Sequence, residues 1–140
     1  MASQIVTQAE GAMVGIEAQL EELFVRALRS QPTIQHIVLA GENGLVVAFK
    51  SRTKGKEQRI AALAPVLQDA GESMFNGLGL TPLSEIILNG PEGTGYVIRL
   101  KSQPVFLLIG ASGVVNIGLL RMIAGEIEAE ANVALTKLLR

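Results

Sequence analysis

Apolar and polar positions repeat along the chain with periods that predict three helices. In Gly15–Ser30, apolar residues recur every three or four positions, which is typical of an amphipathic helix. Glu57–Leu80 and Val114–Leu139 have the same period, and the last of these segments carries a seam of small and branched side chains. Residues 1–14 are expected as an N-terminal extension with a weaker helical pattern, because glycine interrupts it. The helices are thus expected at the start, middle and end of one domain spanning residues 1–140.

Five runs of branched and apolar residues predict strands between these helices, namely Ile34–Ala40, Leu45–Lys50, Leu83–Asn89, Gly95–Lys101 and Val105–Gly110. The connections within the first pair and among the last three are short, so these strands are expected to be antiparallel neighbours. Asn43-Gly44 is expected to supply the positive φ angles of a tight hairpin. The order α-β-β-α-β-β-β-α predicts an α/β (α+β) fold, in which helices cover both faces of a single five-stranded antiparallel sheet.

The middle helix has two faces with different expected roles. Its larger apolar residues are expected to face the sheet, and they are Ile60, Leu63, Leu67, Ala70, Met74 and Leu78. The opposite face is small or mildly polar, which would let a second helix approach closely, and the strand around Ile87 is apolar at consecutive positions. Pro65 predicts either a kink or a helix that begins near Ala64. A dimer interface is predicted from Ala62, Pro65, Val66, Asp69, Ser73, Ile86 and Leu88.

Composition narrows the class of protein. The chain has 140 residues, 49% of them hydrophobic and 18% charged, which excludes intrinsic disorder. There is no cysteine, which excludes disulfides and thiolate metal sites, and the net charge of −1 gives no reason to expect nucleic acid. The N-terminus lacks a signal-peptide pattern and no apolar run reaches the roughly 18 residues of a membrane span, so a soluble cytoplasmic protein is expected. The mean hydropathy of +0.39 favours a stable oligomer.

The residues that could carry chemistry lack the partners that catalysis requires. His36 is the only histidine, and no nucleophile or orienting carboxylate can be assigned to it. Gly93–Gly95 and Gly110–Gly113 lack the spacing and the lysine of a phosphate-binding loop. Glu126 and Glu130 share a helix face that is expected to be solvated. No catalytic residue, metal ligand or cofactor is therefore expected, and the chain is not predicted to be an enzyme.

Basic residues concentrate after the second predicted strand. Five of the twelve lysines and arginines fall within residues 50–59, and they are Lys50, Arg52, Lys54, Lys56 and Arg59. One interpretation is a solvated loop. The other is a docking patch for an acidic protein surface or for anionic lipid, where opposite charge would raise the rate of association. No aromatic residues alternate with these basic residues, which argues against single-stranded nucleic acid.

Several of these segments, in this order, resemble the roadblock/dynein light chain family over Gln35–Leu139. The similar segments are the hairpin IVLAGENGLVVA (Ile37–Ala48), the Ala- and Leu-rich middle helix, ILNGPEGTGYVIRL (Ile87–Leu100) and VNIGLLR (Val115–Arg121). The last of these is similar to the Asn-x-Gly-x-x-Arg pattern at a helix start in the family. The resemblance implies the strand order 2-1-5-4-3, with the middle helix on one face of the sheet and the first and last helices on the other.

The resemblance also implies a function without catalysis. It implies homodimers joined through the middle helices and third strands, which bind or regulate Ras-like small GTPases, as prokaryotic roadblock-type regulators do, or act as adaptors on a larger assembly. The GTPase is then expected to bind through the face of the middle helix, with Arg52, Lys54, Lys56 and Arg59 as candidates for the contact. The alternative is a small-molecule sensor domain of the profilin/PAS-like kind, which requires a sizeable apolar cavity between the sheet and the helices.

Overall fold

The computed structural model describes the backbone of residues 2–139 and the side chains of residues 15–137. The helices are α1 (Ala2–Ser30), α2 (Glu57–Leu78) and α3 (Ile117–Leu139). The strands are β1 (Ile34–Gly41), β2 (Val46–Ser51), β3 (Ile86–Gly90), β4 (Gly93–Arg99) and β5 (Val105–Ser112). The predicted order of elements is confirmed. The N-terminal extension continues α1 as a single helix, although the side chains predicted to pattern it lie outside the described residues.

All five strands form one antiparallel sheet in the order β2-β1-β5-β4-β3, which confirms the order that the resemblance implied. The central strand is β5, where the apolar run Val105–Ile109 is buried on both faces of the sheet. A strand covered on both sides needs no polar alternation, which explains why this run is continuous. The two edges of the sheet are β2 and β3, each of which pairs with one neighbour.

The β1–β2 hairpin forms as predicted, but with a different turn. Within the hairpin only Gly44 takes a positive φ, of +79°, and no non-glycine residue over the described backbone does so. The amide of Gly44 donates to the carbonyl of Gly41 at 2.9 Å, and the Asn43 side chain accepts from the amide of Leu45 at 3.1 Å. The turn therefore needs one left-handed glycine, and the prediction that Asn43 would share this conformation was wrong.

Two hydrophobic layers hold the helices on the sheet. On one face, α1 and α3 bury a large cluster that includes Phe24 and Ile127, so the seam predicted for the last helix does face the core. On the other face, α2 covers a smaller cluster around Val38, Val97 and Phe106. This confirms the division of helices between the two faces that the resemblance implied. Over the residues described, no helix combines the length and the apolar character needed to cross a bilayer.

The orientation of α2 differs from the predicted one. The helix begins at Glu57, as the helical pattern predicted, and passes through Pro65 without ending, so the alternative of a start near Ala64 was wrong. Its fully buried residues are the small ones, Ala61 and Ala64, which let the helix axis lie close to the sheet. Ile60 and Leu67 pack at the margins of this contact, as predicted, whereas the other members of the expected core stripe, Leu63, Ala70, Met74 and Leu78, are exposed.

Candidate functional site

An exposed row of large apolar side chains runs along α2 and is matched by an apolar residue on the β3 edge. Leu63 is 51% exposed, Val66 60%, Met74 65% and Leu78 63%, and Leu88 on β3 is 50% exposed. Single exposed apolar residues are ordinary, but a helix that exposes four on one side, beside an unpaired strand edge, is unusual for a monomer. We call these five residues the apolar stripe. Its composition is more apolar than that of an ordinary solvent-facing helix side.

The residues predicted for the dimer interface divide between the apolar stripe and the neighbouring surface. Val66 and Leu88 belong to the stripe. Ile86 is half-buried and packs against the core under α2. Ala62 lies beside the β1–β2 turn, because a Cβ added to Gly44 would come within 3.1 Å of its Cα. Ala62 therefore faces the hairpin, not the stripe.

Three further predicted residues also lie away from the stripe. Pro65 and Asp69 line a shallow recess with Arg99 and Glu42, which form an ion pair. Ser73 lines a second recess with Pro82 in the loop before β3. The helix thus presents a small and polar side toward the hairpin and a large apolar side toward solvent. Sequence reasoning assigned the large side to the core because it assumed that the most apolar face of a helix is the buried one.

The basic residues after β2 have two different environments. Lys54, Lys56 and Arg59 are exposed, and none of them takes part in the ion pairs found among the described residues. Arg52 instead forms a bridge between α1 and β1. Its Nε donates to the carbonyl of Ile34 at 2.6 Å, and its Nη2 donates to the carbonyls of Gln31, at 3.1 Å, and Leu28. The carbonyls of Leu28 and Gln31 lie at the C-terminal end of α1, where a guanidinium also complements the helix dipole.

The contacts of Arg52 predict a stability effect that its loop neighbours lack. Arg52→Met removes three donated hydrogen bonds, so we expect the free energy of unfolding to fall by about 1–2 kcal/mol. Arg52→Lys keeps the positive charge but loses the planar, forked guanidinium. Its free energy of unfolding should therefore lie between those of the parent and of Arg52→Met. Urea unfolding measures this, with Lys54→Met as the matched control that should change little. Unchanged stability in Arg52→Met would contradict the structural role.

A second polar cluster joins the start of α3 to the strand edge at β3. Asn116 caps α3, because its Oδ1 accepts from the amide of Gly118 at 2.8 Å. A Cβ at Gly118 would come within 3.1 Å of this oxygen, so glycine leaves room for the cap. One turn later, the Arg121 guanidinium donates to both carboxylate oxygens of Glu85, and Tyr96 Oη donates to the same carboxylate at 2.5 Å. The Asn-x-Gly-x-x-Arg pattern therefore fastens α3 to the segment that leads into β3.

This cluster predicts a pH dependence of stability. Hydrogen bonds from Arg121, with one from Tyr96, hold the pKa of Glu85 below its ordinary value despite partial burial. As the pH falls, Glu85 therefore takes up its proton in the unfolded chain before it does so in the folded protein. The contribution of Glu85 to the free energy of unfolding is present at neutral pH and is lost below about pH 5. Glu85→Gln should lower stability at pH 7 and flatten its decline toward pH 3. The midpoints of urea unfolding, measured between pH 7 and pH 3, test this expectation. Glu126→Gln, at an exposed position, is the control and should keep the parent's dependence of stability on pH.

The residues considered for catalysis and for phosphate binding, His36 and the glycine-rich segment at Gly110, make structural contacts. The Nδ1 atom of His36 is buried without a hydrogen-bond partner among the described residues, and its ring lies against Gly110. The glycine-rich segment that starts at Gly110 continues β5 to its end at Ser112. The amide of Ser112 donates to the carbonyl of Thr33, and that of Gly113 donates to the carbonyl of Glu92, both at 2.8 Å. Amides engaged in this way cannot also bind phosphate. No cluster of potential metal ligands occurs within the part of the chain that the structure describes.

Comparison with known proteins assigns the family. The family model of the Roadblock/LC7 domain matches residues 20–110, well over half of the chain. The chain belongs to the roadblock/LC7 family. A search of curated protein sequences found no match.

Solved structures similar to this roadblock/LC7 domain share its fold at low sequence identity. A protein described as MglB with tetrameric arrangement has a TM-score of 0.77 at 15% identity, over 88% of this chain and 92% of that chain. The gliding protein MglB from Thermus thermophilus has a TM-score of 0.71 at 16% identity, over 88% and 90%. A Roadblock/LC7 domain from Streptomyces avermitilis has a TM-score of 0.69 at 17% identity, over 86% and 95%. At these identities the likeness concerns the fold.

The apolar cavity required by the sensor alternative has no counterpart between the sheet and the helices in the described part of this roadblock/LC7 domain. Both helix–sheet layers are filled by buried side chains. A recess of about 890 Å³ lies at the β2 edge and is open to solvent. A sensor function is therefore not favoured.

Proposed function

We propose that the protein is a homodimeric regulator of a Ras-like small GTPase. The observation that carries this proposal is the apolar stripe on α2 and the β3 edge, in a chain that belongs to the roadblock/LC7 family. A regulatory role without catalysis agrees with the structural contacts that engage the glycine-rich segments and the lone histidine. Any effect on GTP hydrolysis would then come from positioning groups of the GTPase itself.

The dimer is expected to be symmetric. In a two-fold arrangement each copy presents the same surface, so the stripe of one protomer packs on the stripe of the other. The free edge of β3, from Ile86 to Gly90, would pair with its copy and extend the five strands to a continuous sheet of ten. Val66 and Leu88, from the predicted interface, lie within this surface. The tetrameric arrangement described for one similar structure supports association of this fold with itself.

The GTPase contact is expected at the basic start of α2. Lys54, Lys56 and Arg59 are exposed and close to each other in sequence, and opposite charge on a GTPase surface would steer the encounter. Arg52 also belongs to the predicted contact, but its guanidinium is already occupied by backbone carbonyls. We therefore expect the three exposed residues to contribute more to GTPase binding than Arg52 does.

A binding assay with purified Ras-like GTPases of the same organism tests the function. Each GTPase is loaded with GDP or with a non-hydrolysable GTP analogue, and at least one is expected to bind in a nucleotide-dependent way. The triple variant Lys54→Glu, Lys56→Glu and Arg59→Glu should weaken this binding about tenfold or more while the dimer persists. Lys137→Glu, a single lysine-to-glutamate change on α3, is the control at a distant site. Indifference of every GTPase in both nucleotide states would overturn the proposal.

A further inference from the structure

Part of the sheet face that carries α2 is left uncovered by this helix. α2 packs on a row of paired residues that crosses the sheet through Val38, Leu108, Val97 and Ile86. Two residues away on each strand, and therefore on the same face, is a second row formed by His36, Gly110, Gly95 and Leu88. Leu88 is 50% exposed, and Gly95 and Gly110 are partly exposed. The second row thus lies beside α2 and not beneath it.

Glycines keep this uncovered part of the sheet low. Gly93 lies two residues from Gly95 on β4 and so on the same face. Gly93, Gly95 and Gly110, which we call the glycine floor, line a shallow depression of about 370 Å³. A Cβ on Gly95 would come no closer than 3.6 Å to Leu88, which is an ordinary contact. Packing within one protomer therefore does not require glycine at this position.

α2 crosses the sheet from the β2 edge to the β3 edge. At its start, Glu57 accepts a hydrogen bond from the Ser51 hydroxyl of β2 at 3.0 Å. Further along, a Cβ on Gly71 would come within 3.6 Å of Ile86 at the start of β3. The two turns that follow continue past this strand for about 10 Å. They carry two exposed members of the apolar stripe, Met74 and Leu78.

The proposed dimer brings the end of α2 to the glycine floor. When two β3 edges pair antiparallel about a two-fold axis, the Gly90 end of one strand lies beside the Ile86 end of its copy. In a continuous sheet, the α2 sides of both protomers face the same way. The last two turns of α2 therefore pass from Ile86 of their own protomer across the edge, over the glycine floor of the other protomer.

We propose that the glycine floor of each protomer is the seat of the C-terminal half of the partner's α2. Small residues let a helix lie close to a sheet, as Ala61 and Ala64 do where α2 meets its own sheet. Glycine, which has no side chain, allows the same close approach from the other protomer. Leu88 belongs both to the apolar stripe and to the row that contains Gly95, so the floor is continuous with the proposed interface.

The inference rests on the proposed dimer and deepens it. The dimer as proposed needs only contact between the two apolar stripes and pairing of the β3 edges. The seat adds a second surface for the stripe, on the sheet of the other protomer. Each sheet would then carry the end of its partner's α2 beside its own.

Gly95→Ala tests the seat through the strength of the dimer. The added methyl group fits in the single chain but raises the floor beneath the partner's helix, and it does so twice in a symmetric dimer. We expect the dissociation constant of the dimer to rise about tenfold, measured by sedimentation over a range of protein concentrations. Gly125→Ala makes the same change on α3, where a Cβ meets nothing within 4 Å, and is the matched control. It should leave the dissociation constant unchanged.

The stability of the single chain separates a lost seat from a damaged fold. In the Val66→Glu background, which is expected to be monomeric, Gly95→Ala should keep or raise the free energy of unfolding. The reason is that alanine restricts the unfolded chain more than glycine does. A lower free energy of unfolding in this background would contradict the proposal, because the methyl group would then disturb the protomer itself.

A spin label tests the contact without changing the floor. The chain contains no cysteine, so a nitroxide can be attached at a single site through Glu92→Cys, at the exposed turn beside the floor. In dimers mixed from labelled chains and unlabelled ¹⁵N chains, we expect broadening of the amide signals of Met74 and Leu78. Broadening in the ¹⁵N chain arises between protomers, since this chain carries no label. The same label attached through Lys137→Cys, on α3, should leave these signals unchanged.

The seat and the proposed function fail in different ways. Unbroadened signals, or a Gly95→Ala dimer as tight as the parent dimer, would overturn the seat, whereas dissociation by Val66→Glu would still support the apolar stripe as the interface. Shifts of the Gly95 and Gly110 amides that follow addition of the GTPase, but not protein concentration, would assign the floor to the GTPase and also overturn the seat. A monomeric parent would remove the dimer and the seat together, and GTPase binding has its own assay.

Discussion

Val66→Glu is expected to convert the proposed dimer to a monomer. Val66 is 60% exposed in the single chain and belongs to the apolar stripe. In a symmetric interface each substitution occurs twice, so one change places two carboxylates in a surface that excludes water. An unpaired charge that loses its water costs several kcal/mol, and we expect the dissociation constant of the dimer to rise about a hundredfold or more.

Light scattering coupled to size-exclusion chromatography measures this change over a range of concentrations. Val133→Glu is the matched control, because Val133 is 57% exposed on α3, on the other face of the sheet from α2. It introduces the same side chain in place of the same side chain, and should leave the dimer intact. A parent protein that is monomeric, or a Val66→Glu variant that remains dimeric, would remove the apolar stripe as the interface.

The element order and the layers of the fold could be predicted because they follow from local patterns. The buried run Val105–Ile109 indicated a strand covered on both faces, and it is the central strand. Element ends were less predictable. β4 begins at Gly93, within a segment that glycines marked as a turn, because the ladder with β5 continues through Gly93 opposite Ser112. β3 begins at Ile86, three residues after the predicted start at Leu83, and α3 begins at Ile117 instead of Val114.

The face of α2 could not be assigned from the sequence alone. Periodicity shows that a helix has an apolar side, but not whether that side meets the sheet or a second protein. In α2, two alanines meet the sheet and the larger residues Leu63 and Met74 remain outside. Two small residues thus make the contact with the sheet that the larger apolar residues were expected to make. The excess of apolar residues in the composition did indicate a covered surface, and the structure locates exposed apolar residues on this helix.

The cluster of basic residues at positions 50–59 could be recognised from the sequence, but the different contacts of its members could not. Arg52 and Lys54 are two residues apart, yet only Arg52 lies where carbonyls of α1 and β1 converge. That convergence joins Leu28 to residue 52 across 24 positions, so no local spacing could have revealed it. The glycine floor was missed for a related reason, because the register of the sheet brings its members together from β4 and β5.

Gly93→Ala is expected to destabilise the fold strongly. A Cβ at this position would come within 2.4 Å of the carbonyl oxygen of Ala111 in β5, and this oxygen is part of the backbone ladder that forms the centre of the sheet. The contact can be relieved only by moving β4 away from β5. We expect the free energy of unfolding to fall by about 2–4 kcal/mol, as for other substitutions that force a backbone shift in a packed interior.

Gly125→Ala is the matched control for Gly93→Ala, since a Cβ at Gly125 meets nothing within 4 Å on α3. Alanine favours the helix there, so stability should rise by about 0.5–1 kcal/mol. Urea unfolding at one fixed protein concentration compares the variants, because dimerisation adds to apparent stability. β3 is held in the sheet only through β4, so Gly93→Ala should also weaken the dimer, whereas Gly125→Ala should not. Equal stability of the two variants would contradict the close approach of β4 to β5.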